Sequence, residues 1–190
     1  LVGHKIDSVL PSSSRASRFR RIGASQETVG TYHLKSSGTM EPYVWPYRKW
    51  RADGIDRART LLEAGDAVIV ATLDLSSYFH RVDPAFLADQ RFHEAIGLVV
   101  GSAELTGWDL EFTDFISNLL SMWSRRAVHA MEKWGVRSNS ELMGGLPIAV
   151  TASRLFANAL LAPWDRAVEE GLLPLYYGRY VDDMFFVTRD

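Results

Sequence analysis

The sequence predicts an α+β fold in which helices lie on one face of a mainly antiparallel sheet. A continuous apolar run at residues 67–73 predicts a strand that is buried on both faces. Amphipathic segments follow it, and two apolar segments at 172–180 and 184–188 enclose a short turn, which predicts a hairpin. The order of one strand, several helices and a hairpin is typical of the α+β class.

Composition places the chain among globular proteins. It has 190 residues, of which 47% are hydrophobic and 23% charged, and it has no cysteine, which excludes disulfides and cysteine-ligated metals. The first 60 residues carry 11 basic and 5 acidic side chains, whereas the remainder carry 10 and 18. A basic segment attracts polyanions, and nucleic acid is the most common of these.

Nothing in the sequence indicates a membrane protein. The longest apolar stretch, Leu146 to Trp164, contains Arg154 and two prolines, and no signal peptide opens the chain. We therefore expect a cytoplasmic protein with no membrane partner. Because the first residue is Leu and the last directly follows an apolar segment, we also expect the sequence to be part of a longer protein.

The N-terminal part is basic and weakly patterned. The run Pro11–Arg21 predicts a solvated arm, with an arm that follows a nucleic-acid backbone as the alternative. Residues 43–51 interleave aromatic and basic side chains, which suits base stacking and phosphate contact, or equally an aromatic cluster with exposed basic neighbours. Residues 55–64 predict a short amphipathic helix that ends at Gly65.

Start and stop signals divide the central part into helices. Asp83 and Pro84 predict a helix start, so that a helix covers 84–96. Gly144–Pro147 predicts a turn, and a further helix covers 151–170.

A long helix at 109–134 shows a thick apolar face, which we expect to pack in the core. We likewise expect the tryptophans of this region to be core residues rather than platforms for bases. The apolar face comprises Trp108, Leu110, Phe112, Phe115, Ile116, Leu119, Leu120, Met122 and Trp123, and the other tryptophans are Trp134 and Trp164.

Three aspartates occupy the ends of predicted strands. Asp74 ends the apolar strand, and Asp182 and Asp183 lie at the tip of the hairpin. Carboxylates that converge repel one another, and divalent cations relieve that repulsion. Two Mg²⁺ ions bound in this way can activate a 3′-hydroxyl and stabilise a leaving pyrophosphate. The alternative is that the Asp pair only forms a turn.

Three segments resemble the palm motifs of reverse transcriptases. Residues 73–83 (Leu-Asp-Leu-Ser-Ser-Tyr-Phe-His-Arg-Val-Asp) resemble the first motif. Residues 145–158, which run from a Gly-Leu-Pro loop into a helix, resemble the second, and Tyr180–Asp183 matches the Tyr-x-Asp-Asp box. The resemblance covers residues 65–190 and implies a right-hand polymerase palm there. Residues 1–64 would be part of a basic, fingers-like region, and a thumb would follow outside the sequence.

The resemblance implies RNA-templated DNA synthesis by two-metal-ion nucleotidyl transfer. Asp74, Asp182 and Asp183 would be the catalytic, metal-binding carboxylates, and the Leu75 carbonyl would complete the shell of one ion. The ions would be Mg²⁺, with Mn²⁺ as an alternative. The partners would be an RNA template, a DNA, RNA or protein primer and dNTPs, with a protein or a non-coding RNA as a further partner.

The resemblance also implies a nucleotide site. The backbone amides of Ser77 and Tyr78 would lie beneath the triphosphate. Phe79 would be the steric gate that selects deoxynucleotides, although core packing is the alternative for this side chain. The other expected nucleotide contacts are Pro147, Ile148 and Ala149 of the second motif and, as grips on the triphosphate, Arg48, Lys49 and Arg51.

The second motif departs from the commoner pattern, in which Gly stands two residues after Pro, often with Gln between them. Here Ile148 and Ala149 occupy those places. Ala disfavours positive φ, and Ile removes a polar contact to the incoming sugar. With Thr151-Ala-Ser-Arg-Leu155 following, the motif is more similar to bacterial defence-associated and abortive-infection reverse transcriptases, so we expect a role in antiviral defence.

Other functions stay open. An RNA polymerase with the same palm usually has a second Asp where Tyr78 or Phe79 stands, and a Gly-Asp-Asp box. Template-poor or protein-primed DNA synthesis is favoured by the departures at Ile148 and Ala149. A catalytically silent palm that acts as a nucleic-acid-binding scaffold is the remaining alternative, and the three intact carboxylates argue against it.

Overall fold

The structure, a computed structural model, describes residues 2–19, 40, 43–99, 105–135, 144–148 and 150–189. The chain divides into two units. The helical unit comprises Leu1–Pro11 and Asp74–Arg166, and the sheet unit comprises Ser12–Leu73 and Ala167–Asp190. The predicted α+β class and antiparallel sheet are confirmed. The division into a fingers-like region over 1–64 and a palm over 65–190 concerns function rather than packing, and it stays a prediction.

Helices dominate the described residues. The helices are α1 Val2–Val9, α2 Val44–Glu63, α3 Tyr78–Arg81, α4 Gln90–Ala95, α5 Gly107–Lys133, α6 Thr151–Leu160 and α7 Ala162–Gly171, and a 3₁₀-helix covers Pro84–Ala88. The strands are β1 Val68–Asp74, β2 Tyr176–Tyr180 and β3 Asp183–Arg189.

The three strands form one sheet in the order β1-β3-β2. β2 and β3 pair antiparallel, with Tyr176 opposite Val187 and Tyr180 opposite Asp183. The predicted hairpin is thus confirmed, and its loop consists of Val181 and Asp182. Because the sheet is antiparallel and β3 is its central strand, β1 ends at the edge of the sheet where β3 begins.

α2 packs on the hairpin along most of its length. Trp50 is buried, and its ring meets that of Phe185 edge to face with centroids 6.2 Å apart. Gly54 allows helix and strand to approach so closely that a Cβ there would lie 2.6 Å from the Phe185 ring. The helix predicted at 55–64 is therefore too short, because packing by Trp50 stabilises a first half that lacks an amphipathic pattern.

β1 matches the strand predicted at 67–73 to within one residue, but the expectation that both its faces are buried is wrong. Ile69, Val70 and Leu73 are each about half exposed. In the described part of the chain β1 is an outer strand, so it has a neighbour on one side only. An apolar run predicts a strand without showing how many layers cover it.

The N-terminal helix belongs to the core of the helical unit. α1 buries Val2 and Ile6 and packs against α5 and α6. Lys5 Nζ lies 2.6 Å from Asp109 Oδ2 in the first turn of α5. This ion pair and the bonds that Thr106 donates to the same carboxylate lower the pKa of Asp109 from its ordinary value of 3.8 to about 2.

The solvated arm predicted over Pro11–Arg21 is wrong for the part that the structure describes. The backbone N–H of Arg179 donates to the carbonyl of Ser13 at 2.8 Å, and that of Arg15 donates to the carbonyl of Arg179 at 2.8 Å. The segment therefore lies along β2 like a short extra strand. The rest of the run, residues 20 and 21, falls outside the described residues.

Two predicted helices are each divided. The Asp83 side chain accepts from the N–H of Ala85, which confirms the predicted cap, but a 3₁₀-helix follows and Asp89 then caps α4. The helix predicted at 151–170 breaks at Leu161 into α6 and α7. In both cases a local cap or turn interrupts a segment whose sequence pattern predicts a single helix.

The buried face of α5 differs from the predicted one, and of the predicted apolar residues only Leu120 is buried. The helix lies within one or two residues of the predicted 109–134 and starts at a capping box formed by Thr106 and Asp109. Its buried positions are mostly small or polar: Asp109, Thr113, Ser117, Leu120 and Ser124. The core assignment of the tryptophans is wrong, since Trp108, Trp123, Trp134 and Trp164 are 83%, 40%, 78% and 47% exposed.

Candidate active site

The first predicted motif forms a tight turn at the end of β1. Asp74 is the last residue of the strand, and its side chain is exposed. The N–H of Tyr78 donates to the carbonyl of Leu75 at 3.1 Å, which closes the turn. Ser77 adopts a left-handed conformation with φ of 57°, which is uncommon for a residue other than glycine. The turn connects the strand directly to α3.

Tyr78 fixes α3 to the helical unit. Its side chain is 8% exposed, and its hydroxyl donates to the carbonyl of Ala157 in α6 at 2.6 Å. The two expected phosphate donors differ in their environment. The Tyr78 N–H is already hydrogen-bonded within the turn, whereas Ser77 is exposed. Their roles toward a triphosphate stay predictions.

Phe79 and the loop of the second motif lie together. The N–H of Leu146 donates to the Phe79 carbonyl at 2.7 Å. Gly145, with φ of 61°, lies so close that a Cβ would overlap the Phe79 carbonyl oxygen and come within 2.5 Å of the His80 Cα. Pro147, which follows in this loop, is half-buried. The backbone of Phe79, the predicted gate, thus lies against the predicted nucleotide loop. This contact is possible because residue 145 is a glycine.

The outer end of that loop is accessible. Ile148 is 52% exposed, and Ala149 falls outside the described residues. Phe79 itself is half-buried, with its ring edge to face against Tyr78 at 5.9 Å between centroids. It is therefore neither a core residue nor fully solvated, which suits a side chain that meets a ligand.

In the sheet unit, the hairpin loop carries the other two carboxylates. Tyr180 and Asp183 close the loop as a pair of opposed strand residues, and both Asp182 and Asp183 are half-buried. Val181 has φ of 60°. A branched residue rarely adopts this conformation, which costs about 1–2 kcal/mol. The loop therefore holds a strained backbone next to the carboxylates.

Arg179 supports this loop from within the protein. It is fully buried, and its Nη1 donates to the carbonyl of Val181 at 2.6 Å, while Nη2 donates to Ser14 Oγ at 3.3 Å. Sequence reasoning missed this residue. The signal that could have identified it is a charged residue in an otherwise uncharged strand, directly before the Tyr-x-Asp-Asp box.

Tyr180 connects the hairpin to α2. Its ring lies edge to face with that of Tyr47 at 5.2 Å and tilted to that of Trp50 at 6.0 Å. Its hydroxyl donates to the carbonyl of Tyr43 at 3.0 Å. Residues 43–51 are expected either to stack on bases or to form an aromatic cluster, and for Tyr47 and Trp50 the structure supports the cluster. Trp45, by contrast, is 54% exposed.

The predicted triphosphate grips lie on the exposed side of α2. Lys49 Nζ is 2.9 Å from Asp53 Oδ1, so this cation already has a counter-ion. The Arg48 guanidinium lies 5.9 Å from the centre of the Trp45 ring, a cation–π distance. Arg51 is exposed. Arg48 and Arg51 are therefore better placed than Lys49 to meet an anion.

The carboxylates occupy the ends of adjacent strands. β1 ends with Asp74, its neighbour β3 begins with Asp183, and Asp182 precedes β3 in the loop. Among the described residues, no three histidine, aspartate or glutamate side chains lie close enough together to form a metal-binding group. The aspartates thus lie at strand ends and in the hairpin loop, as predicted, and convergence of the three side chains stays a prediction.

Comparisons with protein-family models, curated proteins and solved structures give no significant match to this chain. In the described ranges no helix is both long and apolar enough to cross a membrane.

Proposed function

We propose that this chain contains the catalytic palm of a reverse transcriptase and that it carries out RNA-templated DNA synthesis by nucleotidyl transfer. The observation that carries the proposal is the topology of the sheet. Two motifs that are far apart in the sequence, Asp74 and the Asp182–Asp183 pair, end and begin adjacent strands. Antiparallel neighbours bring such ends to one edge, which is where a polymerase palm needs its carboxylates.

The donor chemistry suits Mg²⁺, which prefers hard oxygen ligands, and Mn²⁺ accepts the same set. Asp74, Asp182 and Asp183 would hold two ions, with the carbonyl of Leu75 as a further ligand. When bound, the ions supply neutralisation of the charge that develops on the attacking and leaving oxygens.

The residues of the chain itself orient the nucleotide. The backbone carbonyl of Phe79 lies against the Gly145 loop. We expect the ring of Phe79 and that loop to form two walls around the incoming sugar. A 2′-hydroxyl would collide with the ring, which selects deoxynucleotides. Arg48 and Arg51, exposed on α2, would offset the negative charge of the triphosphate.

The biological role that the second motif favours is bacterial antiviral defence in the cytoplasm. The partners would be an RNA template, a primer and dNTPs, with a protein or non-coding RNA as an additional component. The departures at Ile148 and Ala149 favour template-poor or protein-primed synthesis as the alternative. Dependence on an RNA template distinguishes the proposal from that alternative.

The test compares carboxylate variants in the protein that carries this chain. We expect incorporation of labelled dNTPs, but not NTPs, on an RNA template with Mg²⁺. Asp74→Asn and Asp183→Asn should each reduce it by at least about 1,000-fold. Asp56→Asn is the matched control, because Asp56 is an exposed carboxylate of α2 that pairs with Arg59 in the same helix. Its removal should leave incorporation unchanged.

The outcomes separate the alternatives. Equal loss in all three variants would point to unfolding, which circular dichroism detects. Synthesis that does not need the added RNA would favour a template-poor or protein-primed polymerase. Full activity of Asp74→Asn, or a folded wild type that binds nucleic acid but incorporates no nucleotide, would overturn the proposal in favour of a scaffold.

A further inference from the structure

α5 exposes a continuous line of large apolar side chains. Trp108 is 83% exposed and Phe115 61%, and the others are 40–45% exposed. Successive members from Trp108 to Met122 are four, three, four and three residues apart, a spacing of 3.5 residues that is typical of a helix packed along another helix. We call this line the aromatic stripe; its members are Trp108, Phe112, Phe115, Leu119, Met122 and Trp123.

The opposite side of α5 attaches the helix to its own unit. There Ser117 Oγ donates to the carbonyl of Pro84 at 3.1 Å, and the Ser124 backbone and side chain lie against Gly144. The helix is therefore held through small polar residues while its largest apolar residues face outward. This reverses the usual orientation of an amphipathic helix and leaves the aromatic stripe without cover among the described residues.

The stripe is large for an exposed apolar patch. At these exposures six side chains of this size present roughly 600 Å² of apolar surface, judged from the 150–250 Å² of an aromatic residue. That is at the upper end of the largest patches on monomers. It also approaches the roughly 800 Å² that each partner contributes to a stable complex. A single helix of 27 residues provides it, so a second helix of equal length would cover it well.

Charge along α5 reverses from one end to the other. Glu111 and Asp114 are exposed in the first half of the helix, whereas the second half exposes Arg125, Arg126 and Lys133 beside one acidic residue, Glu132. Two copies that packed parallel would set like charges side by side. Two copies that packed antiparallel would set the basic ends of the two helices at opposite ends of the contact, which removes that repulsion and favours this direction.

We propose that the aromatic stripe binds a second copy of this chain, with the two α5 helices antiparallel. The midpoint of the stripe, next to Phe115, then lies near the two-fold axis, and Trp108 of one copy faces Trp123 of the other. The contact is isologous, so it closes as a dimer. The proposal concerns the helical unit alone and does not depend on the proposed chemistry of the carboxylates.

The first test is the oligomeric state of the chain by sedimentation velocity over a range of concentrations. We expect a dimer, and we expect Leu119→Glu to raise its dissociation constant at least about 100-fold, because the charge is buried twice in a symmetric interface. Leu172→Glu is the matched control: the same substitution at a more exposed leucine, 67%, outside the stripe. It should leave the dimer unchanged.

The second test uses the absence of cysteine, so that introduced thiols report only on themselves. Phe115→Cys should cross-link to itself on oxidation. Trp108→Cys alone should not, but a mixture of Trp108→Cys and Trp123→Cys proteins should form the mixed disulfide. Self-linking of Trp108→Cys, without the mixed product, would refute the antiparallel arrangement. A wild type that stays monomeric, or a dimer that tolerates Leu119→Glu, would refute the stripe as the interface.

Discussion

Gly145 tests whether the contact between Phe79 and the second-motif loop determines the local structure. The variant is Gly145→Ala, and the matched control is Gly65→Ala. Both glycines have positive φ, 61° and 87°, but a Cβ at Gly65 has no heavy atom within 4 Å, whereas one at Gly145 overlaps the Phe79 carbonyl. Both variants therefore place an alanine at positive φ, and the collision distinguishes Gly145→Ala from the control.

The expected difference follows from what the loop must give up. Alanine in the left-handed region costs about 1–2 kcal/mol at either site, and the gain from a stiffer unfolded chain is the same for both. At Gly145 the loop must also move away from Phe79. This breaks the hydrogen bond from the Leu146 N–H, which contributes about 1 kcal/mol. It also partly exposes the fully buried Leu146 side chain, which costs up to about 2 kcal/mol.

The assay is urea or thermal unfolding followed by circular dichroism. We expect Gly145→Ala to be about 1–3 kcal/mol less stable than Gly65→Ala, which corresponds to a melting temperature lower by about 2–12 °C. Equal stability of the two variants would refute the close approach. A large loss with Gly65→Ala would instead show that the strain of positive φ, and not the collision, dominates.

Three further predictions concern other parts of the chain. Because the pKa of Asp109 is lowered, its ion pair stabilises the fold fully above pH 3.8 and no longer does so as the pH falls through about 2. Lys5→Met should remove about 1–2 kcal/mol near neutral pH and flatten this dependence in urea titrations. Arg166 donates three hydrogen bonds, of 2.7–3.0 Å, to carbonyls at the ends of α1 and α4. Arg166→Lys should therefore lower the free energy of unfolding by about 2 kcal/mol. An unchanged value would show that these bonds do not stabilise the fold. Phe79→Ala should raise the ratio of NTP to dNTP incorporation at least about 10-fold, and an unchanged ratio would contradict the gate.

The parts of the fold that the sequence predicts well are those decided by neighbouring residues. The hairpin follows from two apolar segments around a polar turn, and its observed register, with Tyr180 opposite Asp183, is that of the shortest loop. The cap at Asp83 likewise depends on atoms two residues away. Such features are decided by residues that are close to one another in the sequence.

The parts that the sequence predicts poorly depend on distant partners. Nothing local shows that α2 begins at Val44, because Trp50 stabilises its first half by packing on Phe185. Nor does periodicity show which face of α5 is buried: the apolar face predicts an inward orientation, while the structure buries the line through Thr113 and Ser117. A pattern reports that a face is apolar, and not what covers it.

The candidate site shows the same division. Motifs place Asp74 and Asp183 at strand ends, and those positions agree with the structure. The sequence does not show that Arg179 is buried beneath the loop, because arginine is mostly exposed and its burial depends on distant partners such as Ser14. Supporting residues of this kind are defined by three-dimensional contacts alone.

Backbone strain lies beside the carboxylates in both units. Ser77 follows Asp74 by three residues with φ of 57°, and Val181 directly precedes Asp182 with φ of 60°. A two-residue hairpin loop usually has Gly or Asn where φ is positive, so a branched residue there costs about 1–2 kcal/mol that a simple turn would not. The 2.6 Å bond from buried Arg179 to the Val181 carbonyl opposes relaxation of that loop. Strain of this kind is common at functional sites, and the proposed role of the Asp pair would make use of a loop held in one shape.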